Sequence, residues 1–350
     1  MINLFLLLVD IGTMYGVFLI LSASMELEYG ELGIPNFGKV MFFAAGAFAV
    51  GALAVRLGTW LAGIQWQGEF KTKSILYSTA VSNYFATHPL QALLVFAVTL
   101  VVAAIFGAIL GIVASYPAIR LREDYLAITL IAAGELFRIF GRNYDPFIGG
   151  TMGVGVPDIL AWMPPGTKEA GYIALSLSFA AASWLILYRL STSPFGRALR
   201  AIRDEELAAA TLGKDIVKYR MKVLALGSAM AAVAGVIYAY YMGSVLADDF
   251  NPLKTFLVVL MVVLGGSGNP YGTLVGVAVY IFLDRTLALL KHYIILPFDI
   301  NYAAMLFFGV ILLLVLMYRP EGIIPERPLL TIRAKFCRTK EGKLEKRLCK

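Results

Sequence analysis

The chain has 350 residues, of which 59% are hydrophobic and only 15% are charged, and its mean hydropathy is +0.77. An ordinary soluble domain carries about 25% charged residues, and one core of this size cannot hide so much apolar surface from water. The composition therefore excludes a typical soluble protein and predicts an integral protein of the cell membrane.

The net charge of +7 does not indicate a nucleic-acid-binding surface. Of the 30 basic residues, 18 lie in two stretches beside apolar segments, residues 189–222 and residues 319–350. This distribution is typical of the positive-inside rule, which places Lys and Arg in cytoplasmic loops. We therefore expect membrane lipid as a partner and no nucleic acid.

Metal, disulfide and catalytic chemistry are not predicted. Cys337 and Cys349 both lie in the basic tail, and they are expected to be free thiols if that tail is cytoplasmic. His88 and His292 are far apart in the sequence, and no metal-ligand spacing surrounds them. A Ser-His-Asp or Cys-His set cannot be assembled either.

Apolar segments long enough to cross a bilayer, about 20 residues, recur along the chain. They lie at residues 2–22, 37–56, 89–113, 125–141, 170–190, 222–242 and 300–318. A further pair, 253–265 and 270–290, is interrupted by "SGNP". The first segment has no basic leader region, so we expect it to be retained. We predict an all-α, polytopic helical bundle with about eight to ten transmembrane segments. Its membrane domain covers residues 1–318, and a basic cytoplasmic tail covers residues 319–350.

The basic residues also predict an orientation. The stretch 189–222, the tail and the loop 114–124 are placed inside. The polar loops 57–88 and 142–169 are placed outside, together with residues 243–252. Alternation then puts the N-terminus outside and the acidic connection, Met25–Asn36, inside, although it contains no Lys or Arg. A re-entrant or broken helix near Gly33–Gly38 is the alternative for that connection.

The stretch "SPFGRALRAIRDEELAAATLG", Ser193 to Gly213, is a polar helical insert between apolar segments. Ser193 and Pro194 predict the start of one helix, with Ser as the N-cap and Pro at the first helical position. Asp204 is expected to cap a second short helix, and Gly213 to end it. Short helices are marginal in water unless they pack on something. We therefore predict a cytoplasmic insert, residues 191–221, that either lies on lipid headgroups or docks into a partner subunit.

Several stretches are similar to one known family. "GRALRAIRDEELAAATLG" resembles the cytoplasmic coupling segment of ABC importer permeases, and in detail that of branched-chain amino-acid permeases of the LivM/LivH type. Other stretches that resemble the family, in the family's order, are "RLREDYLAITLIAAGELFR" (Arg120–Arg138), "GGTMGVGVP" (Gly149–Pro157), "VLGGSGNPYGTLVGVAV" (Val263–Val279) and "YRPEGIIPER" (Tyr318–Arg327). The resemblance extends over most of the chain.

This resemblance implies the transmembrane subunit of an ATP-driven importer of branched-chain or related amino acids. The implied partners are a second permease, two ATPase subunits that bind MgATP, and an extracytoplasmic substrate-binding protein. The chain itself is expected to have no cofactor and no enzymatic activity. The residues implied to couple to an ATPase are Arg197, Arg200, Arg203, Asp204, Glu205, Glu206, Ala208, Ala209 and Gly213.

Two departures from the family pattern leave the cargo open. Leu207 occupies the place of the Glu that begins the general importer pattern, and Lys39 in "NFGK" occupies the place of a usual His. Permeases for urea, amides, sugars or nucleosides are alternatives within the same class. An ion-coupled secondary transporter is a further alternative, although it leaves the insert without a purpose.

The stretch "GIPNFGKV" (Gly33–Val40) mimics a phosphate-binding loop. Val40 stands where a Ser or Thr would ligate Mg²⁺, and no strand precedes the stretch. We therefore predict no nucleotide site in this chain.

Ionisable residues inside apolar segments are costly, so they indicate either structural pairing or a transport pathway. Asp10, Asp284 and Arg285 are of this kind, as are Glu135 and Arg138, which are three residues apart and can pair on one helix face. Glycines near the "SGNP" break either let helices pack closely or form discontinuous helices along a pathway. The candidate pathway residues are Glu135, Arg138, Gly149, Gly150, Gly153, Gly265, Gly266 and Gly268.

Overall fold

The computed structural model describes residues 4–65, 70–121, 123–290, 300–319 and 321–326. Most of these residues are helical. In chain order the helices are α1 (Leu4–Met25), α2 (Lys39–Leu61), α3 (Phe70–Thr87), α4 (Pro89–Arg120), α5 (Glu123–Asn143), α6 (Asp145–Ile148), α7 (Thr167–Thr192), α8 (Pro194–Asp204), α9 (Glu206–Thr211), α10 (Ile216–Met242), α11 (Leu253–Gly265), α12 (Pro270–Leu290) and α13 (Ile300–Tyr318). Two short strands, β1 (Val154–Gly155) and β2 (Ser244–Val245), pair antiparallel.

Within the described part of the chain, six helices are long and apolar enough to cross a bilayer, namely α1, α2, α4, α7, α10 and α12. A helix rises about 1.5 Å per residue, so helices of this length match a hydrocarbon core about 30 Å thick. The predicted polytopic helical membrane protein is confirmed. Helix α5 is rich in charged residues and α11 has only 13 residues. The total of about eight to ten spans therefore stays a prediction.

Helices α2 and α10 form the buried centre, and α1 and α4 pack against them. Small residues bring the helix backbones together. A Cβ atom at Gly46 of α2 would overlap the carbonyl oxygen of Ala232, and one at Gly235 of α10 would overlap that of Phe43. Helices in a bilayer associate through such close contacts, because lipid tails supply no hydrophobic drive between them. Backbone contact therefore fixes the centre of the fold.

The outer helices expose large apolar side chains. On α4 these include Leu93, Ile105 and Val113, and on α13 they include Leu313. A soluble protein rarely exposes an apolar surface of this extent. In a bilayer the same side chains face lipid or a neighbouring subunit.

The polar loops predicted at residues 57–88 and 142–169 are structured. The first contains α3, an 18-residue helix rich in Ser and Thr that packs beside β1. The prediction of a loop there was wrong, because α3 lacks the continuous apolar run that marks a span. The second contains α6 and β1, whose Val154 lies opposite Val245 of β2. The predicted outer end of the molecule is thus a folded cap.

The acidic connection between α1 and α2 lies at the same end of the molecule as α8, as alternation predicts. Helix α1 continues into a π-helix, Glu26–Gly30, and Arg203 of α8 donates a hydrogen bond to the Gly30 carbonyl. The turn between α11 and α12 lies there too, since the Gly268 N–H donates to Glu26 Oε1 at 2.6 Å. We call this region the inner end.

Gly46→Ala is expected to lower the free energy of unfolding by about 1–3 kcal/mol, because the new methyl group forces α2 away from α10. The measurement is the thermal unfolding midpoint of the protein purified in detergent. Gly309→Ala is the matched control, since a Cβ atom there meets no atom within 4 Å. Equal midpoints for the two variants would contradict the packing described.

Candidate functional site

Helix α8 begins as the sequence predicts. The Ser193 hydroxyl accepts hydrogen bonds from the N–H of Phe195 at 3.1 Å and from the N–H of Gly196 at 3.3 Å. Pro194 occupies the first turn, where its missing N–H leaves no bond unmade. A cap of this kind stabilises a helix by about 1 kcal/mol. The predicted start of this helix at Ser193 and Pro194 is confirmed.

The start of α9 differs from the prediction. Asp204 is the last residue of α8, and Glu205 at the N-cap position makes no side-chain capping bond. Asp204 instead accepts a hydrogen bond from Arg203 Nε at 3.2 Å. The prediction of Asp204 as a cap was wrong, because the neighbouring guanidinium engages the carboxylate that a cap would need.

Helix α9 ends as predicted. Gly213 has a φ of +78°, its N–H donates to Ala210 O at 2.9 Å, and the Lys214 N–H donates to Ala209 O at 3.1 Å. These two bonds are the Schellman pattern of a helix C-terminus. A Cβ atom at Gly213 would meet no atom within 4 Å. Glycine is therefore needed here for its backbone conformation.

One face of the insert packs on the rest of the chain. Leu199 and Ile202 of α8 and Ala209 of α9 are buried. Ala209, which the resemblance assigns to the ATPase contact, thus lies beneath α9. Its small side chain lets α9 lie close to the molecule.

The other face of α9 is open and partly apolar. Leu207 is 77% exposed and Leu212 is 80% exposed. We call this surface the docking face, and it consists of Leu207, Ala208 and Thr211 of α9 and of Leu212, which directly follows the helix. Residues at this spacing share one side of a helix. The two leucines give this face a small apolar surface.

The three arginines of α8 separate into two groups. Arg197 is exposed. Arg200 Nη1 lies 3.2 Å from Glu31 Oε2, and Arg203 Nη2 lies 2.9 Å from both carboxylate oxygens of Glu326. The resemblance places all three at a partner subunit, whereas two of them form ion pairs within this chain.

The acidic residues that follow are spread over the surface of the insert. Glu206 forms an ion pair with Arg220 at the start of α10, at 2.8 Å. Asp204 and Glu205 are exposed. The predicted coupling residues therefore include exposed residues and residues that form ion pairs within this chain.

A buried charge network, which the sequence reasoning missed, lies under α8. We call residues 26–39 the acidic segment. Its three carboxylates, Glu26, Glu28 and Glu31, are all buried, and so is Lys39. Glu28 Oε1 lies 2.8 Å from Lys39 Nζ. Buried charges are tolerated only when they are paired and hydrogen-bonded, so each of these groups constrains its surroundings.

The partners of the acidic segment come from its own chain neighbours and from distant helices. Asn36 Nδ2 donates to Glu28 Oε2 at 2.7 Å. The backbone N–H of Gly268, in the turn between α11 and α12, donates to Glu26 Oε1 at 2.6 Å. The segment thus connects α1 and α2 to the α11–α12 turn.

Glu31 lies between the acidic segment and α8. Burial raises the pKa of Glu31 above its ordinary value, while the Ser191 hydroxyl and the Arg200 guanidinium oppose that rise. The sequence signal for this arrangement was an acidic stretch without Lys or Arg beside apolar segments. Arg200, which is 169 residues away, cannot be assigned to Glu31 from spacing alone.

The predicted pathway glycines of the α11–α12 turn lie in a tightly packed junction. A Cβ atom at Gly265 would overlap the Gly272 carbonyl, and one at Gly266 would overlap that of Ile324. Gly268 lies against the carboxylate of Glu326. These glycines allow the turn to pack against α12 and against residues 321–326. Their assignment to a pathway stays a prediction.

The other predicted pathway residues lie at the outer end. Arg138 Nε donates to Glu135 Oε2 at 3.0 Å, as the three-residue spacing predicts, and Arg138 also pairs with Asp248. Close to them lies an outer glycine turn whose three glycines are buried, Gly149, Gly150 and Gly153. The turn therefore packs against its surroundings, while Glu135 and Asp248 are partly exposed.

The remaining charged residues of the apolar segments also pair. Arg285 Nη1 lies 2.9 Å from Asp10 Oδ2 on α1 and its Nε lies 3.7 Å from Asp284. No cluster of His, Cys, Asp and Glu suited to a metal ion occurs among the residues that the structure describes. The two cysteines and His292 lie outside those residues, as does the tail beyond Glu326.

Lys39→Met is expected to lower the free energy of unfolding by about 3–5 kcal/mol, because it leaves the Glu28 carboxylate buried without its cation. The double variant Lys39→Met with Glu28→Gln removes both charges and is expected to recover most of the loss. Thermal unfolding midpoints in detergent measure both effects. Equal midpoints for the single and the double variant would contradict a buried ion pair.

Known proteins are similar to this chain over most of its length. The family described as "Branched-chain amino acid transport system / permease component" matches residues 7–316. The chain is 37% identical to the probable branched-chain amino acid transport permease protein LivM of Methanocaldococcus jannaschii, over 91% of this chain and 93% of that protein. It is 25% identical to LivM of Escherichia coli, over 93% of this chain and 72% of that protein.

A more distant relative is LivH of Escherichia coli, at 27% identity over 64% of this chain and 71% of that protein. No solved structure matches the chain significantly. The family match and the six long apolar helices confirm a multi-pass protein of the cell membrane. The chain belongs to the family of branched-chain amino-acid transport permeases.

Proposed function

We propose that this chain is the transmembrane subunit of an ATP-driven importer for branched-chain or related amino acids. A substrate-binding protein delivers the amino acid to the outer end, and a second permease completes the pathway. Two ATPase subunits bind MgATP at the inner end and supply the energy. The names of the LivM and LivH relatives support this cargo.

The observation that carries the proposal is the docking face of α9. A six-residue helix does not hold its shape in water by itself, and α9 is held by its buried Ala209. Leu207 and Leu212 nevertheless remain open to solvent. Burying two such side chains in a partner is favourable by about 1.5–3 kcal/mol each. An ATPase subunit that binds α9 in a groove would cover them.

The charges of α8 and α9 favour a protein partner over lipid headgroups. Arg200 and Arg203 are engaged by Glu31 and Glu326 of the same chain, which leaves Arg197 as the exposed arginine of α8. Exposed acidic residues beside the docking face would be repelled by anionic lipid. A headgroup-bound helix of the usual kind presents a basic polar face instead.

The outer end offers charges suited to a zwitterionic substrate. Arg138 can donate hydrogen bonds to a carboxylate, and Glu135 and Asp248 can accept them from an ammonium group. All three lie close together at the outer end of α5. We place the entry of the pathway there. The outer glycine turn shapes the entry, and the α11–α12 turn shapes the exit at the inner end.

Leu207→Asp combined with Leu212→Asp is expected to reduce the ATPase that co-purifies with the detergent-solubilised complex by about tenfold or more. Loss of apolar anchors at the centre of an interface typically costs about 2 kcal/mol or more. Quantitative immunoblotting of the purified complex measures the ratio of the two subunits.

Leu90→Asp is the matched control, because Leu90 is 82% exposed at the opposite end of the molecule and should not affect ATPase binding. Equal ATPase in all three preparations would contradict docking through α9.

In proteoliposomes the wild-type complex should accumulate labelled leucine, with competition by isoleucine and valine. Accumulation of urea or ribose without leucine would overturn the proposed cargo.

A further inference from the structure

Arg203 of α8 connects three separate parts of the inner end. Its Nη2 lies 2.9 Å from both carboxylate oxygens of Glu326, and its Nη1 donates to the carbonyl of Gly30. Its Nε donates to Asp204 at 3.2 Å. A guanidinium presents donors in a fixed planar fork, so one side chain can hold several acceptors at defined angles. The insert is thereby attached to the acidic segment and to residues 321–326.

The acidic segment is in turn hydrogen-bonded to the α11–α12 turn. Glu26 accepts from the Gly268 N–H at 2.6 Å, and Gly268 also lies against Arg203 Nη1. The turn is held from the other side by residues 321–326, because Asn269 Nδ2 donates to the Pro325 carbonyl at 3.0 Å. The turn, the acidic segment and α8 therefore share one set of hydrogen bonds.

The acidic segment also lies against the buried centre of the fold. A Cβ atom at Gly227 of α10 would overlap the carboxylate of Glu28. Arg200, one helical turn before Arg203 on α8, reinforces the attachment through Glu31 and through the hydroxyl of Ser191 at 3.2 Å. Because Glu31 is buried, water competes little for its bond to Arg200, and this bond is harder to break than a surface ion pair.

We propose that Arg203, supported by Arg200, is a positioning residue. It transmits movement of the insert to the acidic segment between α1 and α2 and to the α11–α12 turn. The insert is joined covalently only to α7 and α10. Beyond these two covalent links, Arg203 and Arg200 supply hydrogen bonds from the insert to the acidic segment, and Arg203 also bonds to Glu326 in residues 321–326. This inference rests on the proposed function, because it concerns how an ATPase acts on the pathway.

The test uses the intact complex of permeases and ATPases in proteoliposomes, with ATP hydrolysis and leucine uptake measured in the same vesicles. Arg203→Met should leave hydrolysis within about twofold of wild type and reduce leucine moved per ATP by about tenfold, within the range typical of coupling between sites. Glu326→Gln keeps the shape of the side chain that Arg203 binds but removes its charge, and it should also reduce the leucine moved per ATP. Arg203→Lys should recover only part of the ratio, because it restores the charge without the fork.

Lys218→Gln is the control, since Lys218 is 74% exposed and pairs only with its surface neighbour Asp215 among the described residues. An uptake-to-hydrolysis ratio equal to wild type in both Arg203→Met and Glu326→Gln would overturn the inference. So would loss of the ATPase from the Arg203→Met complex, because Arg203 would then be a docking contact. If the wild-type complex contained no ATPase or showed no ATP-dependent uptake, the proposed function would fail, and this inference with it.

Discussion

Three carboxylates buried at one end of an apolar protein constrain everything around them. Glu26, Glu28 and Glu31 cannot stay charged in a low-dielectric interior unless each finds a cation or hydrogen-bond donors. Lys39, at the start of α2, meets one of these demands. The α11–α12 turn donates a backbone hydrogen bond to Glu26, and Arg200 of α8 pairs with Glu31. Helices that are far apart in the sequence are thereby held in one arrangement at the inner end.

The rest of the fold follows a different physical rule. Along α2 and α10, glycines let the backbones approach until no further side-chain atom fits, and the contact is made by packing alone. The inner end adds directed bonds, which fix how the insert is oriented on the buried centre. At the outer end a folded cap with a partly exposed group of charges completes the molecule.

The sequence predicted those features whose causes are local. Ser193 and Gly213 act through backbone groups within four residues, so the start of α8 and the end of α9 were predicted correctly. Asp204 was predicted wrongly because a side chain next to it competes for its carboxylate. Helix α3 was missed because it is polar. The buried network was missed because the partners of Glu26 and Glu31 lie beyond α11 and in α8, and no spacing rule connects residues so distant in the chain.

Coupling through Arg203 requires α8 and the α11–α12 turn to move together. The most direct measurement is the distance between spin labels at Ala201 of α8 and Ser267 of the α11–α12 turn, by electron paramagnetic resonance, with and without bound nucleotide. Cys337 and Cys349 are replaced by Ser so that only the two labels react. We predict that this distance changes by less than about 2 Å, while the distance from Ala201 to a label at Asn143 of the outer end changes by more. A nucleotide-dependent change between Ala201 and Ser267 as large as that to Asn143 would contradict the account.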